Sequence, residues 1–181
     1  MIIVLMGVSG AGKTTIGLAL AARTGLQFAD ADDYHSAASK EKMASGRPLN
    51  DADRAPWLER LNVLMRDWDD ESQGGILACS ALEEKYRVAL AKGIPASRIH
   101  FVLLEGSPEL IAKRLAKRKH AFMNPKLLES QFATLEPPRD AIRVVNDKSP
   151  EEIVEVILRS ITGGLRSKAG EKMVEQTGKR I

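Results

Sequence analysis

The sequence predicts an α/β fold in which a five-stranded parallel sheet is flanked by helices. Short apolar runs alternate with stretches that have the 3.6-residue periodicity of helices. The first apolar run, Ile2–Met6, leads into a glycine-rich segment and then a helix-forming run, the order strand, loop, helix. The 181 residues, 44% of them hydrophobic, suffice for one core and are too few for two comfortable domains. We therefore expect one domain over residues 1–162.

Five strands and seven helices are expected. The strands are Ile2–Met6, Gln27–Ala31, Gly75–Ser80, Arg98–Leu104 and Arg143–Val145. The helices are Lys13–Arg23, Ala37–Ala44, Asp53–Glu71, Glu83–Ala91, Pro108–Lys119, Pro125–Thr134 and Pro150–Ile161. Gly163 is expected to end the last helix. Beyond it the periodicity fades, so we expect residues 163–181 to form a frayed polar tail, with a short helix as the alternative.

Charge and cysteine content narrow the function classes. The net charge is +3, and residues 163–181 carry five basic and two acidic residues, which accounts for the whole excess. A neutral body argues against a nucleic-acid partner. No apolar run is long enough to span a membrane, and the single cysteine, Cys79, has no partner for an internal disulfide. We expect a cytoplasmic protein without nucleic-acid or membrane partners.

Residues Gly7–Thr14 match the phosphate-binding pattern G-x-x-x-x-G-K-[ST] at a strand-to-helix junction. Glycines allow successive backbone N–H groups to point at phosphate oxygens, and the following helix adds its partial positive charge. Lys13 is expected to reach the β- and γ-phosphates, and the Thr14 hydroxyl to bind Mg²⁺. The cofactors expected are ATP and Mg²⁺. The residues expected at the nucleotide are Gly7, Ser9, Gly10, Ala11, Gly12, Lys13, Thr14 and Thr15. The alternative is a glycine-rich turn without a ligand.

This motif alone does not distinguish a small-molecule kinase from a GTPase or an ATPase. GTPases of this class read guanine with an N-K-x-D element after a strand. The nearest candidate, Asn146–Ser149, has its residues in the wrong order. Guanine specificity is therefore not predicted.

Three acids follow the second predicted strand, at the sheet edge where ligands of such folds bind. They are Asp30, Asp32 and Asp33. In an extended chain Asp30 and Asp32 share one side, and Asp33 points away. We favour Asp32 as the group that accepts or orients the proton of a substrate hydroxyl, with His35 close behind it. The alternative is a set of solvated loop acids and a surface histidine.

Several segments together resemble the gluconokinase family, over nearly all of residues 1–162. They are Gly7–Thr15, Asp30–His35, Gly46–Leu58, Ala78–Leu82 and the stretch from His120–Met123 to Glu129–Gln131. The resemblance implies a P-loop NTPase fold of the shikimate-kinase and nucleoside-monophosphate-kinase branch. It also implies a substrate-binding helical segment, a lid at about residues 119–136, and a homodimer. The implied reaction transfers the γ-phosphoryl group of ATP to the 6-hydroxyl of D-gluconate.

Gluconate is an anionic polyol, so its site needs a cation for the carboxylate and hydrogen-bonding groups for the hydroxyls. Arg54 is the first choice of cation, with Lys42 and Arg87 as further candidates; the alternative for Arg54 is a helix-start ion pair with Asp51 or Asp53. Trp57 is interpreted as a core aromatic and Cys79 as a buried apolar residue. The full set implied at the substrate is Asp32, His35, Lys42, Arg54, Ser80, Arg87, His120 and Gln131.

Two arginines lie one turn apart on the predicted helix Pro108–Lys119. Arg114 and Arg118 project from one face, and Leu110, Ile111 and Leu115 form the buried stripe. They can clamp the transferring phosphate as the lid closes, so Arg118 joins Asp32 and Lys13 as a catalytic candidate. A solvated basic face is the alternative.

Two other positions follow from the resemblance. Asn146 lies where this branch holds adenine, through backbone contacts that leave little role for its side chain. The third strand ends in Cys79-Ser80 and has no acid there to hold magnesium, which gives Asp32 more importance.

Two rival functions stay open at this point. One is a kinase for another small acid, but the third strand lacks the Gly-Gly-Gly end of shikimate kinases and the Gly-Phe-Pro-Arg type element of nucleoside-monophosphate kinases. The other is a non-catalytic ATP-binding switch that signals through its basic tail.

Overall fold

The computed structural model describes residues 1–71, 73–116 and 125–177, and within these the side chains of all but residues 125–127 and 164–177. The sheet contains five parallel strands in the order β2-β3-β1-β4-β5, which confirms the predicted architecture. The strands are β1 (Ile2–Met6), β2 (Gln27–Asp30), β3 (Gly75–Ala78), β4 (Ile99–Glu105) and β5 (Ile142–Val145). The helices are α1 (Lys13–Thr24), α2 (Ala37–Ala44), α3 (Asp51–Asp70), α4 (Glu84–Ala91), α5 (Pro108–Ala116), α6 (Pro125–Thr134) and α7 (Pro150–Thr177).

Strand β1 lies at the centre of the sheet, and all five of its residues are buried. Alternate side chains of a strand point to opposite faces, so β1 contributes to two cores. Ile3 and Leu5 belong to the core on one face, and Ile2, Val4 and Met6 to the core on the other. Helices cover both faces, as the apolar run of β1 predicts.

The strand register brings the carboxyl ends of all five strands to one edge of the sheet. Leu5 of β1 and Asp30 of β2 both pair with Ala78, near the end of β3. On the other side of β1, Met6 pairs with Leu103, and β4 ends where Glu105 pairs with Val145 of β5. The loops after these strands therefore converge at a single edge.

The second strand is shorter than predicted, and this changes the geometry of the acidic cluster. Strand β2 ends at Asp30, and Ala31–Tyr34 form a short 3₁₀ helix. The Asp30 carboxylate accepts a hydrogen bond from the Asp32 amide at 3.2 Å and so caps this helix. The prediction that Asp30 and Asp32 share one side of an extended chain is therefore wrong.

The last helix is longer than predicted. Helix α7 continues through Gly163 and Gly164 to Thr177, so the prediction that Gly163 ends it is wrong. Gly163 does not adopt a positive φ, whereas helix-ending glycines such as Gly25 do. Glycine inside a helix costs only about 1 kcal/mol relative to alanine, which longer-range contacts can offset. In the part of the chain with described structure, none of the helices, α7 included, has the length and apolar character needed to cross a membrane.

Substitution of Gly163 by alanine tests the continuous helix. A Cβ at Gly163 meets nothing within 4 Å, so Gly163→Ala should stabilise the protein by about 0.5–1 kcal/mol through lower chain entropy in the unfolded state. The matched control is Gly25→Ala, where the space is equally open but φ is +74°. It should destabilise by about 1 kcal/mol. Thermal unfolding of both variants measures the difference, and equal destabilisation would contradict a helix through Gly163.

Candidate active site

The loop between β1 and α1 ends at a helix N-terminus whose own first turn contains no acidic residue. Helix α1 begins at Lys13, has no side-chain cap and has no acid in its first turn. Helix α3 is the opposite case, because Asn50 and Asp53 form a capping box and Asp51 also lies in the first turn. The first amides of α1 thus lack the side-chain partner that those of α3 possess, which suits a phosphate.

Neighbouring elements leave no room for side chains at two glycines of the loop. A Cβ at Gly10 would lie 2.8 Å from Cγ of Leu115 on α5, and one at Gly12 would collide with the side-chain amide of Asn146. Both glycines have positive φ, +83° and +95°. Helix α5 and the segment after β5 are therefore packed directly against the phosphate-binding loop.

The functional groups of the loop are held by other parts of the protein. The Lys13 ammonium donates to the carbonyls of Gly7 at 3.0 Å and Val8 at 3.1 Å. The Ser9 amide donates to the Gln131 side-chain oxygen at 2.7 Å, and Gln131 Nε2 donates to Ser9 Oγ at 3.2 Å. Gln131, predicted to contact substrate, thus joins helix α6 to the phosphate-binding loop.

The Asp30 carboxylate lies beside Thr14, the predicted ligand of Mg²⁺. The Thr14 hydroxyl donates to Asp30 Oδ2 at 2.8 Å. Sequence reasoning assigned any acidic share in metal binding to Asp32 and gave Asp30 no role. The signal was present, because Asp30 ends the strand next to β3, whose own end has no acid.

Asp32 lies in the same charged neighbourhood as Lys13. Asp32 is exposed at the surface, but the protein around its carboxyl partly excludes water and raises its pKa above the ordinary value, and the Asp30 charge raises it further. The positive charge of Lys13, and that of His35 when it is protonated, act in the opposite direction. Asp30 and Asp32 therefore differ in role: Asp30 bonds to the Thr14 hydroxyl, and Asp32 is a carboxyl of raised proton affinity.

His35 is fixed by Trp57 of α3. The two rings stack with centroids 4.4 Å apart and planes at 11°. Trp57 packs against one hydrophobic core, as predicted, and its Nε1–H donates to the Ala31 carbonyl at 2.7 Å. Burial lowers the pKa of His35; the Asp32 charge opposes this effect, and the positive charges of Lys40 and Arg54 add to it. His35 is thus a neutral hydrogen-bonding group at neutral pH, and its buried Nδ1 has no hydrogen-bond partner in the described part of the chain.

Arg54 is held by the phenol of Tyr86. Arg54 NH1 lies 3.0 Å from the Tyr86 hydroxyl, which donates in turn to Asp51 at 2.8 Å. The guanidinium carbon lies 5.4 Å from the Tyr86 ring centroid, and NH1 lies 3.9 Å from Asp51. The alternative ion pair with Asp51 is therefore present as a long contact, while Asp53 pairs with Lys42 instead. The Arg54 side chain is 32% exposed, so it combines fixed orientation with access to a ligand.

Lys42 lines a cavity of about 490 Å³ in the helical segment. It lies between α2 and the start of α3, and Lys42, Arg47 and Asp53 contribute its charges. None of its lining residues comes from the phosphate-binding loop or the 3₁₀ helix. The Lys42 ammonium bonds to the Asp53 carboxylate within this segment.

The turn after β3 carries Ser80 next to the phosphate-binding loop. The Ser80 carbonyl accepts the Gly7 amide at 3.2 Å. Cys79 is buried as predicted, and burial raises the pKa of its thiol to about 12, which makes it unreactive. Arg87, a predicted substrate ligand, is only 6% exposed and donates to the carbonyls of Ala81 and Leu82.

One of the two lid arginines can be placed. Arg114 on α5 is partly buried, and its NH1 has no hydrogen-bond partner within the described ranges. Ile111 and Leu115 are buried on the same helix, as predicted. Arg118 and His120 lie outside the described residues. A buried guanidinium nitrogen without a partner is costly, and a phosphate oxygen would satisfy it.

Comparison with known proteins gives the family. A family model described as shikimate kinase matches residues 9–162. A probable gluconokinase of Dictyostelium discoideum is 49% identical over 142 residues, which are 76% of this chain and 71% of that protein. A gluconokinase of Gluconobacter oxydans is 44% identical over 87% of this chain and 89% of its own length. The chain belongs to the shikimate kinase family, on its gluconokinase branch.

The solved structures agree with this placement. A gluconokinase from Sinorhizobium meliloti superposes with a TM-score of 0.78 at 34% identity, and the match covers 96% of this chain and 95% of that one. Solved shikimate kinases match at 21% identity or less, and that likeness shows the fold alone. Membership of the gluconokinase branch makes the protein a kinase and implies the use of ATP.

Asn146 of this gluconokinase-branch site has a structural role for its side chain that the sequence did not predict. It was expected to matter only through its backbone. In the structure it is 4% exposed, and its amide donates to the Ala11 carbonyl at 2.7 Å. The backbone N–H of Asn146 donates to the Glu105 carbonyl at 2.8 Å. Asn146 therefore braces the phosphate-binding loop from the end of β5.

Removal of the Asn146 side chain should weaken ATP binding. Asn146→Ala leaves the Ala11 carbonyl without its donor, and we expect a loss of ATP affinity on the order of tenfold. The matched control is Asn62→Ala, because Asn62 is also buried and donates to two carbonyls, those of Leu90 and Lys92, away from the loop. Both variants should lower the melting temperature, but only Asn146→Ala should weaken binding of a fluorescent ATP analogue. Unchanged affinity in Asn146→Ala would remove the bracing role.

Proposed function

We propose that the protein catalyses ATP-dependent phosphorylation of D-gluconate on its 6-hydroxyl, giving 6-phospho-D-gluconate and ADP. The acceptor is taken from the names of its relatives, which are named gluconokinase or probable gluconokinase and are 38–49% identical. The observation that carries the reaction class is a carboxyl of raised pKa, Asp32, beside the phosphate-binding lysine Lys13.

The residues of the loop fit a nucleotide triphosphate with a divalent cation. The amides at the start of α1 and the Lys13 ammonium supply positive charge for the phosphates. The Thr14 hydroxyl and the Asp30 carboxylate, 2.8 Å apart, are oxygen donors of the type that Mg²⁺ prefers. Mg²⁺ bound there would neutralise charge on the transferring phosphoryl group.

Asp32 is the proposed base or orienting group. The oxygen of the 6-hydroxyl attacks the γ-phosphorus, the bond from that phosphorus to the β-phosphate oxygen breaks, and the hydroxyl proton passes to the Asp32 carboxylate. A raised pKa makes Asp32 a better proton acceptor than an ordinary aspartate. Lys13, together with Arg114 and Arg118 of the lid approach, would balance the charge that develops on the phosphoryl oxygens.

Recognition of the acceptor divides between one fixed cation and several neutral groups. Arg54, oriented by Tyr86, is the proposed partner of the gluconate carboxylate. Neutral His35 and the Ser80 hydroxyl suit the sugar hydroxyls. Lys42, Gln131 and His120 stay candidates for the acceptor, with Gln131 placed at the phosphate-binding loop. The homodimer and the cytoplasmic location stay predictions.

A coupled assay of ADP release tests the substrate. The acceptors are gluconate, idonate, shikimate, nucleoside monophosphates and none. We expect turnover with gluconate that Asp32→Asn reduces on the order of 100- to 10,000-fold. Asp33→Asn is the matched control, because Asp33 is an exposed acid on the same 3₁₀ helix.

Each other outcome identifies a rival. Turnover with shikimate and none with gluconate would assign the chain to another small acid while leaving the fold intact. ATP binding without turnover on any acceptor would favour a non-catalytic switch.

Removal of Arg54 should separate acceptor binding from ATP binding. Arg54→Ala should raise the gluconate KM on the order of 10- to 100-fold, because a charge-assisted hydrogen bond is lost, and leave the ATP KM nearly unchanged. Tyr86→Phe should give a smaller rise, since it frees Arg54 without removing it. Arg66→Ala, at an exposed arginine of the same helix, is the control. An equal loss for both substrates would make Arg54 structural.

Neutralisation of Asp32 should stabilise the fold at neutral pH. A carboxyl whose pKa is raised in the folded state binds its proton more tightly there than in the unfolded chain. The ionised group therefore costs stability above its folded pKa, and the cost disappears as pH falls below the unfolded value. Asp32→Asn should thus raise the melting temperature at pH 7 and lose this gain near pH 3, as thermal unfolding at both pH values would show. A lower melting temperature at pH 7 would contradict the raised pKa.

A further inference from the structure

The turn after β3 contains an unusual backbone conformation. Ala81 has φ of +43° and is the one non-glycine residue with positive φ in the described part of the chain. Residues with a Cβ adopt this region at a cost of roughly 1–2 kcal/mol. Ala81 is 4% exposed, so it cannot relax into solvent. Other contacts must therefore hold the turn in place.

Arg87 of α4 supplies two of these contacts. Its NH1 donates to the carbonyl of Ala81 at 3.0 Å and to that of Leu82 at 2.9 Å. The residue is 6% exposed. Burial of a guanidinium is costly unless its donors are paired, and here NH1 is paired with the carbonyls of the strained residue and of the residue after it. The hydrogen bonds of Arg87 are thus directed at the turn rather than at open solvent.

The turn touches both halves of the site. On one side, the Ser80 carbonyl accepts the Gly7 amide of the phosphate-binding loop. On the other, the Leu82 carbonyl accepts the Glu136 amide at 2.9 Å, just beyond helix α6. A change in the path of the chain at Ala81 would therefore move the phosphate-binding loop and the end of α6 relative to each other.

The Glu136 side chain fixes the same junction a second time. It accepts the Glu84 amide at 2.5 Å, at the start of α4, whose own N-cap residue Glu83 makes no side-chain capping bond. Helix α4 is thus capped by a residue 52 positions away. The cap ties the end of α6 to the helix that carries Arg87.

We propose that Arg87 is a positioning residue, which holds Ala81 in its left-handed conformation and thereby aligns Ser80 and the phosphate-binding loop with α6, rather than a ligand of the acceptor. The inference rests on the proposed function only for the choice of acceptor in its test. A substitution that relieves the strain at Ala81 should therefore reduce the loss of activity caused by removing the Arg87 guanidinium.

The test is a double-mutant cycle of Arg87→Met with Ala81→Gly. Arg87→Met keeps an apolar stem but removes both donors, and we expect kcat/KM for gluconate to fall on the order of 10- to 100-fold as the turn relaxes. Ala81→Gly alone should leave it within about twofold, because glycine adopts positive φ without strain. The double variant should recover most of the loss. Arg66→Met, at an exposed arginine of α3, is the control for loss of charge.

Absence of rescue overturns the proposal, since glycine at position 81 cannot replace a guanidinium that binds the acceptor. Full activity of Arg87→Met alone overturns it as well. If Arg87→Met does not fold, Arg87→Lys in the same cycle gives the same comparison, because an ammonium cannot make the paired contacts of the guanidinium. If the wild type does not use gluconate, the proposed function fails separately. The cycle is then scored with the acceptor that is active, or as affinity for a fluorescent ATP analogue, and the same recovery is required.

Discussion

The close approach of three chain segments to the phosphate-binding loop is the constraint on which the site depends. Gly10 touches Leu115 of α5, Gly12 touches Asn146 after β5, and the Gly7 amide bonds to Ser80 after β3. Side chains at Gly10 and Gly12 would collide with these neighbours. The neighbours follow β4 and β5, so the register of these strands with β1 sets how closely they approach the loop. The sheet thus sets the precision of the loop, and the loop has little freedom of its own.

The same edge separates helix ends with opposite electrostatic roles. Helix α1 presents its first amides without a side-chain cap, whereas α3 has a capping box from Asn50 and Asp53. The acids at the start of α3 interact with cations. Lys42 bonds to Asp53, and the Tyr86 hydroxyl links Arg54 to Asp51. The partial positive charge of the α1 N-terminus is therefore not neutralised by a side-chain cap, which suits phosphates. At α3 the nearby acids balance the cations, which suits the single carboxylate of the proposed acceptor.

The sequence predicted those parts of the fold that depend on local pattern. The ends of α2 and α6 and the start of α1 are where propensity and boundary residues place them. The errors occur where a contact between distant residues, or between a side chain and a nearby amide, decides the structure. The Asp30 carboxylate ends β2 by capping the next turn, and alternation along a strand cannot reveal this.

Asn146 and Arg87 show the same limit within the candidate site. Sequence gives the residue type and not the partner, so the Arg87 guanidinium was predicted to bind substrate and the Asn146 side chain was given little role. Their partners, the carbonyls of Ala11 and Ala81, lie 135 and 6 residues away and acquire meaning only from the fold. Motif residues were found easily, whereas the residues that support the motif were not.

Three of the groups proposed to bind nucleotide or metal already have partners within the protein. Lys13 bonds to loop carbonyls, the Ser9 amide to Gln131, and the Thr14 hydroxyl to Asp30. Nucleotide binding would therefore exchange hydrogen bonds, and the affinity would reflect the difference between two sets of contacts rather than the sum of the new ones. One of the exchanged contacts, Gln131, belongs to α6. Release of the Ser9 amide would leave α6 joined to Ser9 only through the Gln131 contact with its hydroxyl, so occupancy of the phosphate site would be thermodynamically linked to the position of α6.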